Sequence, residues 1–335
     1  MWDPQVAAIR AAQGILPWDL VKKGENMDAR SKPEIKHHYV TALTDSKRWE
    51  KYRVRDDDIV ITTSYKAGTT WMQGICAALV FQQPQPPLPQ DALSPWLDAN
   101  FAPIDVILEL LEGLENRRYI KTHLPLDGLK FFGEIKYIFI GRDGKDVWMS
   151  MWNHWHNMTY ETIENLNNAP GRQGPPFQHP PQEIGPAFDE WLSKGTFEWE
   201  GDGYPFWSHL HHASTWWEFR HLPNILLVHY EDLLKDLDGE MRRLSAYLDI
   251  PVNEELWPSL VEAMTFKSMK ANAEIMAPGG SQGAWKDTSK FFYKGTNKRW
   301  QGVLSDAQVA AYDALAQRQL GRELAHWLEF GGRID

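Results

Sequence analysis

The sequence has a single cysteine, Cys76, in 335 residues. One thiol cannot build a disulfide framework, so the fold must rest on its core, as suits a reducing cytoplasm. Cys76 falls on the apolar side of an expected helix and reads as a small core residue. No apolar run reaches the ~20 residues that span a bilayer. Met1-Trp2-Asp3-Pro4 has neither the basic start nor the apolar core of a signal peptide. The expectation is a cytoplasmic protein with no membrane partner. Basic residues are in deficit: 35 Lys and Arg against 45 Asp and Glu give a net charge of −10. That balance argues against nonspecific nucleic-acid binding. An anionic ligand would need a locally basic pocket, so each Lys or Arg beside a loop gains weight. Apolar material is plentiful, at 43% of residues with 17 Trp. This suffices for one large α/β domain or for two. The tryptophans suit a core or the wall of an apolar pocket.

The most informative stretch is Asp58 to Gln73, DIVITTSYKAGTTWMQ. Its β-branched start, Asp58 to Thr63, predicts a buried strand. Ser64 to Gly68 predicts a tight turn, and Thr69 onward a helix running through Phe81. Such a loop presents free N–H groups at a helix N-terminus, where the dipole favours an anion. Lys66 adds charge, and Thr69 and Thr70 add hydroxyl donors. This reads as a phosphate cradle, although a plain strand-to-helix turn has the same outline. An ordinary P-loop is excluded, because no Gly lies upstream and Lys66 precedes Gly68 instead of following it.

Three further strands are predicted, at Tyr119–Thr122, Lys136–Gly141 and Asn224–Tyr230. Alternation places Lys121 and His123 on one face at a strand end, where open α/β sheets keep their sites. Arg142 sits at the turn after the second of these strands, with Ser150 in the following helix. A guanidinium fork and a hydroxyl make a phosphate clamp, and an Arg–Asp surface pair is the simpler reading. Helices are expected at Ile104–Leu114, Phe206–Trp217, Leu237–Leu248, Glu254–Met264 and Ser305–Phe330. His209, His211 and His212 lack a Cys or acidic ligand to complete a zinc site at helical spacing. The Pro-rich segment 82–89 reads as a surface loop. The Asn-, Pro- and Gly-rich stretch 157–203 reads as a loop or lid over an acceptor site. Segment 1–57 shows helical fragments and no chemistry.

Tyr65-Lys66-Ala67-Gly68-Thr69-Thr70-Trp71 resembles the phosphosulfate loop of the cytosolic sulfotransferases. These enzymes use 3′-phosphoadenosine 5′-phosphosulfate (PAPS) and release the bisphosphate PAP. The resemblance continues in the family's order to Trp300. It implies one α/β domain over residues 1–335, with a central, mostly parallel sheet flanked by helices. It implies that Lys66, Ala67, Gly68, Thr69, Thr70 and Trp71 hold the 5′-phosphosulfate. Lys121-Thr122-His123-Leu124-Pro125 resembles the catalytic segment, which makes His123 the general base, with Lys121 on the sulfuryl oxygens. Arg142 to Ser150 keeps the spacing R-x-x-K-D-V-x-x-S, which assigns Arg142 and Ser150 to the 3′-phosphate. Tyr230, Thr265 and Phe266 match residues on the adenine side. Phe291 to Trp300 resembles the segment that closes over the 3′-phosphate, with Lys294 and Gly295 kept. There Tyr293 stands in place of an Arg and Lys298-Arg299 in place of Gly-Asp, which leaves Lys298 or Arg299 to supply the lost positive charge at the 3′-phosphate. The family's dimerisation segment is not matched between Gln301 and Ala310, so no oligomeric state is implied. The resemblance further implies a small hydroxyl acceptor and no metal.

Two other classes fit the same residues. One is a nucleotide kinase or hydrolase on the same strand-loop-helix unit, with Asp143 imitating a metal-binding Asp. The other is an inactive protein that retains a bisphosphate pocket.

Overall fold

The computed structural model describes residues 32–169, 173–174, 176–279 and 283–334. Most of segment 1–57, together with Gly171 and Pro175 of the Pro/Gly-rich stretch, lies outside the described residues. Residues 34–335 cluster as one unit, and every element below belongs to it.

Four parallel strands organise this unit: β1 (Ile59–Thr63), β2 (Tyr119–Thr122), β3 (Lys136–Gly141) and β4 (Ile225–His229). Their order is β2-β1-β3-β4. Ile61 pairs with Lys121 on one side and Ile138 on the other, and Phe139 pairs with Leu227. All of β1 is buried, as a parallel sheet covered on both faces requires. Side chains alternate between two cores. Ile59, Ile61, Ile138 and Ile140 pack with Met72, Ile75 and Leu79. Val60, Ile120, Tyr137 and Phe139 pack with Trp148, Leu210 and Trp216. Several tryptophans are therefore core, and Trp148, Trp216 and Trp257 are fully buried.

Helix α1 (Thr69–Phe81) follows β1 and is buried from Thr69 to Leu79 except at Thr70, as an all-round apolar helix must be. Cys76 lies within it at 0% exposure. Helix α2 (Ile104–Gly113) precedes β2. Helix α3 (Gly144–Asn157) follows β3, and the Asp143 carboxylate caps it by accepting from Lys145 N–H at 3.0 Å. Helices α4 (Tyr160–Asn167), α5 (Ile184–Ser193) and α6 (His209–Glu218) come before β4. Segment 157–203 is therefore not a continuous loop. Thr159 caps α4 by accepting from Thr162 N–H, and Phe188 and Trp191 of α5 are buried. Among the described residues of this segment, irregular chain lies between and after these helices.

Beyond β4 come α7 (Tyr230–Lys235), α8 (Leu237–Tyr247), α9 (Trp257–Ala263), α10 (Phe266–Ala271) and α11 (Asp306–Phe330). Tyr230 opens a helix and does not end a strand. The reason is local: His229 Nδ1 accepts from Glu231 N–H at 3.1 Å and caps α7. Likewise α6 begins at His209, because Ser208 caps it. Helix α11 starts with a Ser305–Gln308 capping box. It is tied to α3 by Lys145 Nζ and Asp313, 2.8 Å apart.

All four strands point the same way, so the segments carrying Lys66, His123, Arg142 and Tyr230 emerge at one edge. Strands β2 and β3 lie on opposite sides of β1. The crevice at such a reversal is where open parallel sheets bind ligands.

Candidate active site

The turn between β1 and α1 is the first wall. Lys66 has φ 69° and Gly68 φ 128°. Left-handed backbone strains a lysine and persists only where surroundings hold it. Here Arg142 Nη1 donates to the Lys66 carbonyl at 3.1 Å. A Cβ on Gly68 would lie 3.1 Å from the Tyr230 ring, which adds tightness to an unfavourable φ. Behind the turn, the Thr63 and Thr69 hydroxyls meet at 2.5 Å. Trp71 Nε1 donates to the Met264 carbonyl at 2.8 Å. The first N–H groups of α1 have no acceptor within the helix and face outward from its start.

His123 follows β2. Its Nδ1–H donates to the Thr63 carbonyl at 2.9 Å, which leaves the lone pair on Nε2. Trp96 and Tyr65 pack against the ring, with centroids 4.9 and 4.8 Å away. Burial, then the Lys121 charge, pulls its pKa down to about 3. The ring is therefore neutral near pH 7. Lys121 lies on the same side, its ammonium 5.1 Å from the Trp96 ring.

Arg142 follows β3. It stacks over Tyr230 at 3.9 Å, and its Nη2 and Nε donate to Asn297 Oδ1 at 2.7 and 3.2 Å. Asn297 donates in turn to Glu231 at 2.6 Å. The segment after the short 3-10 helix Thr288–Phe291 is thus clasped to the strand edge. A second clasp is made by Asp146, which accepts from the N–H groups of Lys298 and Arg299 at 2.8 and 3.2 Å. Gly295 at φ 65° lies so close to Phe266 that a Cβ would overlap the ring.

These walls enclose one cavity of about 810 Å³. Lys66, Gly68, Thr69, Thr70, Trp71, Lys121, His123, Arg142, Ser150, Tyr230, Phe266, Lys294 and Gly295 all line it. Two expected residues do not. Ala67 is fully buried behind the turn, and Thr265 caps α10 by accepting from Ser268 N–H at 3.3 Å. Among the described residues that line the cavity, Asp91 is the one carboxylate, against Lys66, Lys121, Arg142, Lys294 and Arg299. Burial, then the charges of Arg142, Lys121 and Arg299, pushes the Lys66 pKa down to about 7. Burial alone would lower Lys121 further than its value of about 8, but Asp91 and Asp98 oppose it. An anion fits this donor set because five cations share the cavity with a single carboxylate.

Sequence reasoning missed several wall residues, His154 and Trp96 among them, and did not separate Arg299 from Lys298. His154 was within reach of it, since it shares a helix face with Ser150 at i, i+4. Arg299, not Lys298, lines the cavity, with its guanidinium 5.2 Å from the Tyr293 ring. The three neighbouring histidines of α6 have separate partners. His209 pairs with Ser64 at 2.7 Å, His211 with Asp127 at 2.9 Å and His212 with Thr62 at 3.2 Å. Asp143 faces Lys145 at 3.4 Å, and burial raises its pKa to about 7.

Fold and site together define an α/β protein with a cationic cavity at the carboxyl edge of a parallel sheet, beside a neutral imidazole. Comparison with known proteins gives the class. The sulfotransferase domain profile matches residues 56–323, and the chain belongs to the sulfotransferase family. A glycolipid sulfotransferase of Mycobacterium bovis is 33% identical over 88% of this chain and 94% of its own length. Sulfotransferase 1B1 of Mus musculus is 29% identical over 82% of this chain and 86% of its own. In fold, the chain resembles mouse sulfotransferase SULT7A1 complexed with PAP, at a TM-score of 0.63 and 20% identity, over 88% of this chain and 96% of that one. It also resembles retinol dehydratase in complex with androsterone and inactive cofactor PAP, at a TM-score of 0.62 and 20% identity, over 83% and 86%. Among the described residues, no helix is long and apolar enough to cross a membrane.

Proposed function

We propose that this protein transfers the sulfuryl group of PAPS to a hydroxyl of a small, hydrophobic alcohol or phenol. The observation that carries the proposal is the excess of cations over carboxylates in the cavity, with His123 in the same cavity. PAPS supplies an activated sulfuryl group with the bisphosphate as leaving group. The N–H groups at the start of α1, with Thr69 and Thr70, hold the 5′-phosphosulfate. Arg142 and Ser150 hold the 3′-phosphate, Lys294 and Gly295 close over it, and Tyr230 and Phe266 flank the base. Arg299 supplies the positive charge that Tyr293 cannot. The acceptor oxygen attacks sulfur, and the S–O bond to the leaving phosphate breaks. His123 Nε2 takes the acceptor's proton, and Lys66 meets the charge that grows on the departing oxygen. Lys121 supports the sulfuryl oxygens. Transfer of this kind depends mainly on positioning and charge stabilisation.

The cavity also has an apolar lining that suits such an acceptor, including Trp96, Phe101, Met158 and Leu166. A glycolipid hydroxyl is the second reading. It is supported by the M. bovis relative's name and by Asp91, Thr162 and Asn165 in the cavity lining, which can hydrogen-bond a sugar.

The test is transfer from labelled PAPS to a panel of phenols, steroids, aliphatic alcohols and a glycolipid. His123→Ala should lower kcat by roughly 10²- to 10⁴-fold, with PAP affinity nearly unchanged. A variant that keeps most of its turnover removes His123 from the base role. Tight PAP binding without transfer to any acceptor would leave a binding protein in place of an enzyme.

A further inference from the structure

The Lys66 ammonium does not stand free in the cavity. Its Nζ donates to Nδ1 of His154 at 3.2 Å and lies 4.3 Å from the centroid of the Phe291 ring. His154 is on α3, one turn beyond Ser150. With Nδ1 accepting, the ring proton is on Nε2, which faces the Tyr65 hydroxyl at 3.5 Å. The imidazole is wedged between Trp285 and Phe291, with centroids 4.6 and 5.6 Å away. Its pKa is held well below the ordinary histidine value by burial, then by the Lys66 and Lys121 charges. It therefore keeps the lone pair that this contact requires.

We propose that His154 is a positioning residue for sulfuryl transfer: through Nδ1 it fixes the Lys66 ammonium at the wall where the departing oxygen must be met. The inference rests on the reading of Lys66 as the group that meets that oxygen. A lysine side chain has four rotatable bonds and no preferred fork. A seat made of one ring nitrogen and one aromatic face removes much of that freedom before the donor arrives. Well-positioned charge is worth more to the transition state than to the bound ground state. Loss of the seat should therefore appear in kcat and leave binding largely untouched.

Four variants test this: His154→Asn, His154→Gln, His154→Phe and, as reference, Lys66→Ala. Asn places its Oδ1 where Nδ1 was, whereas Gln places its oxygen nearer the position of Nε2. With PAPS and the best acceptor from the panel above, Gln and Phe should lose roughly 10- to 100-fold in kcat, with PAP affinity and acceptor KM within about threefold of wild type. Asn should recover to within about fivefold of wild type. Calorimetry with PAP alone checks that each variant retains a folded donor site. Long-range ¹H–¹⁵N spectra of histidine-labelled protein give a readout independent of turnover: Nε2 protonated, and an Nδ1 resonance that shifts in Lys66→Ala. A protonated Nδ1, or Gln matching Asn, overturns the proposal. If Lys66→Ala is inactive while His154→Phe keeps full kcat, the proposal alone fails. If Lys66→Ala itself keeps its turnover, the reading of Lys66 fails and takes the proposal with it.

Discussion

The crowding of cations makes a measurable demand on any anion that enters. In the free protein, burial and neighbouring positive charge lower Lys66 to about 7, and burial holds Lys121 at about 8. A bound bisphosphate supplies the missing negative charge and returns both groups towards an ordinary lysine value. Binding must then take up protons. The sign follows directly: the bound-state pKa lies above the free-state one, so affinity falls as pH rises through 7 and 8. If both lysines are fully charged in the complex, uptake should grow from ~0.6 proton at pH 7 to ~1.4 at pH 8, and PAP affinity should fall about tenfold over that unit. Isothermal titration calorimetry in buffers of different ionisation enthalpy reads the proton count as a slope. In Lys66→Met, only Lys121 remains to titrate. Uptake at pH 8 should drop to ~0.5, and the affinity change between pH 7 and 8 should shrink to about twofold. Binding with no proton uptake, or an unchanged pH dependence in Lys66→Met, would refute the picture of a cavity with cations in excess.

Two further variants probe the surroundings. In Gly295→Ala, a methyl group would overlap Phe266 at a left-handed backbone position. Strain of about 1–3 kcal/mol should move the closing segment and weaken PAP binding roughly 5- to 150-fold. Unchanged affinity by calorimetry would show that this segment does not close over the ligand. Below the sheet, Arg118 forks onto Asp58 through Nε and Nη2 at 2.7 and 2.6 Å, with both side chains almost inaccessible. Arg118→Ala strands a buried carboxylate and should cost about 3–5 kcal/mol in urea unfolding. A loss below about 1 kcal/mol would mean that the pair contributes little in this setting.

The strands were readable because a parallel sheet covered on both faces needs short, continuous apolar runs. Lys136–Gly141 has the same bounds in sequence and structure, and Tyr119–Thr122 likewise. Boundaries moved where a side chain caps the next element, as His229 does for α7 and Ser208 for α6. Such caps depend on a rotamer that composition does not reveal. Within the site, Lys121 and His123 were found by strand alternation, and Lys66 and Arg142 by their place after strands. Arg299 was left undecided against Lys298, because adjacent residues in an irregular segment carry no periodicity to separate them. His154 went unread for a different reason. Its significance comes from Lys66, 88 positions away, reaching its ring, and only the folded chain brings the two together. Segment 157–203 was read as loop from its Pro, Gly and Asn content, but α4 and α5 occupy the parts where Ile163, Phe188 and Trp191 find a core.

Asp146 grips the closing segment by its amides, not by its side chains. An amide contact is blind to which residue carries it. Outside Gly295 and Asn297, the stretch from Tyr293 to Arg299 can therefore exchange its outward groups while its path along the cavity stays put. A cation lost at one rung can be restored a few rungs along, and Arg299 beside an aromatic Tyr293 is what such an exchange would leave behind.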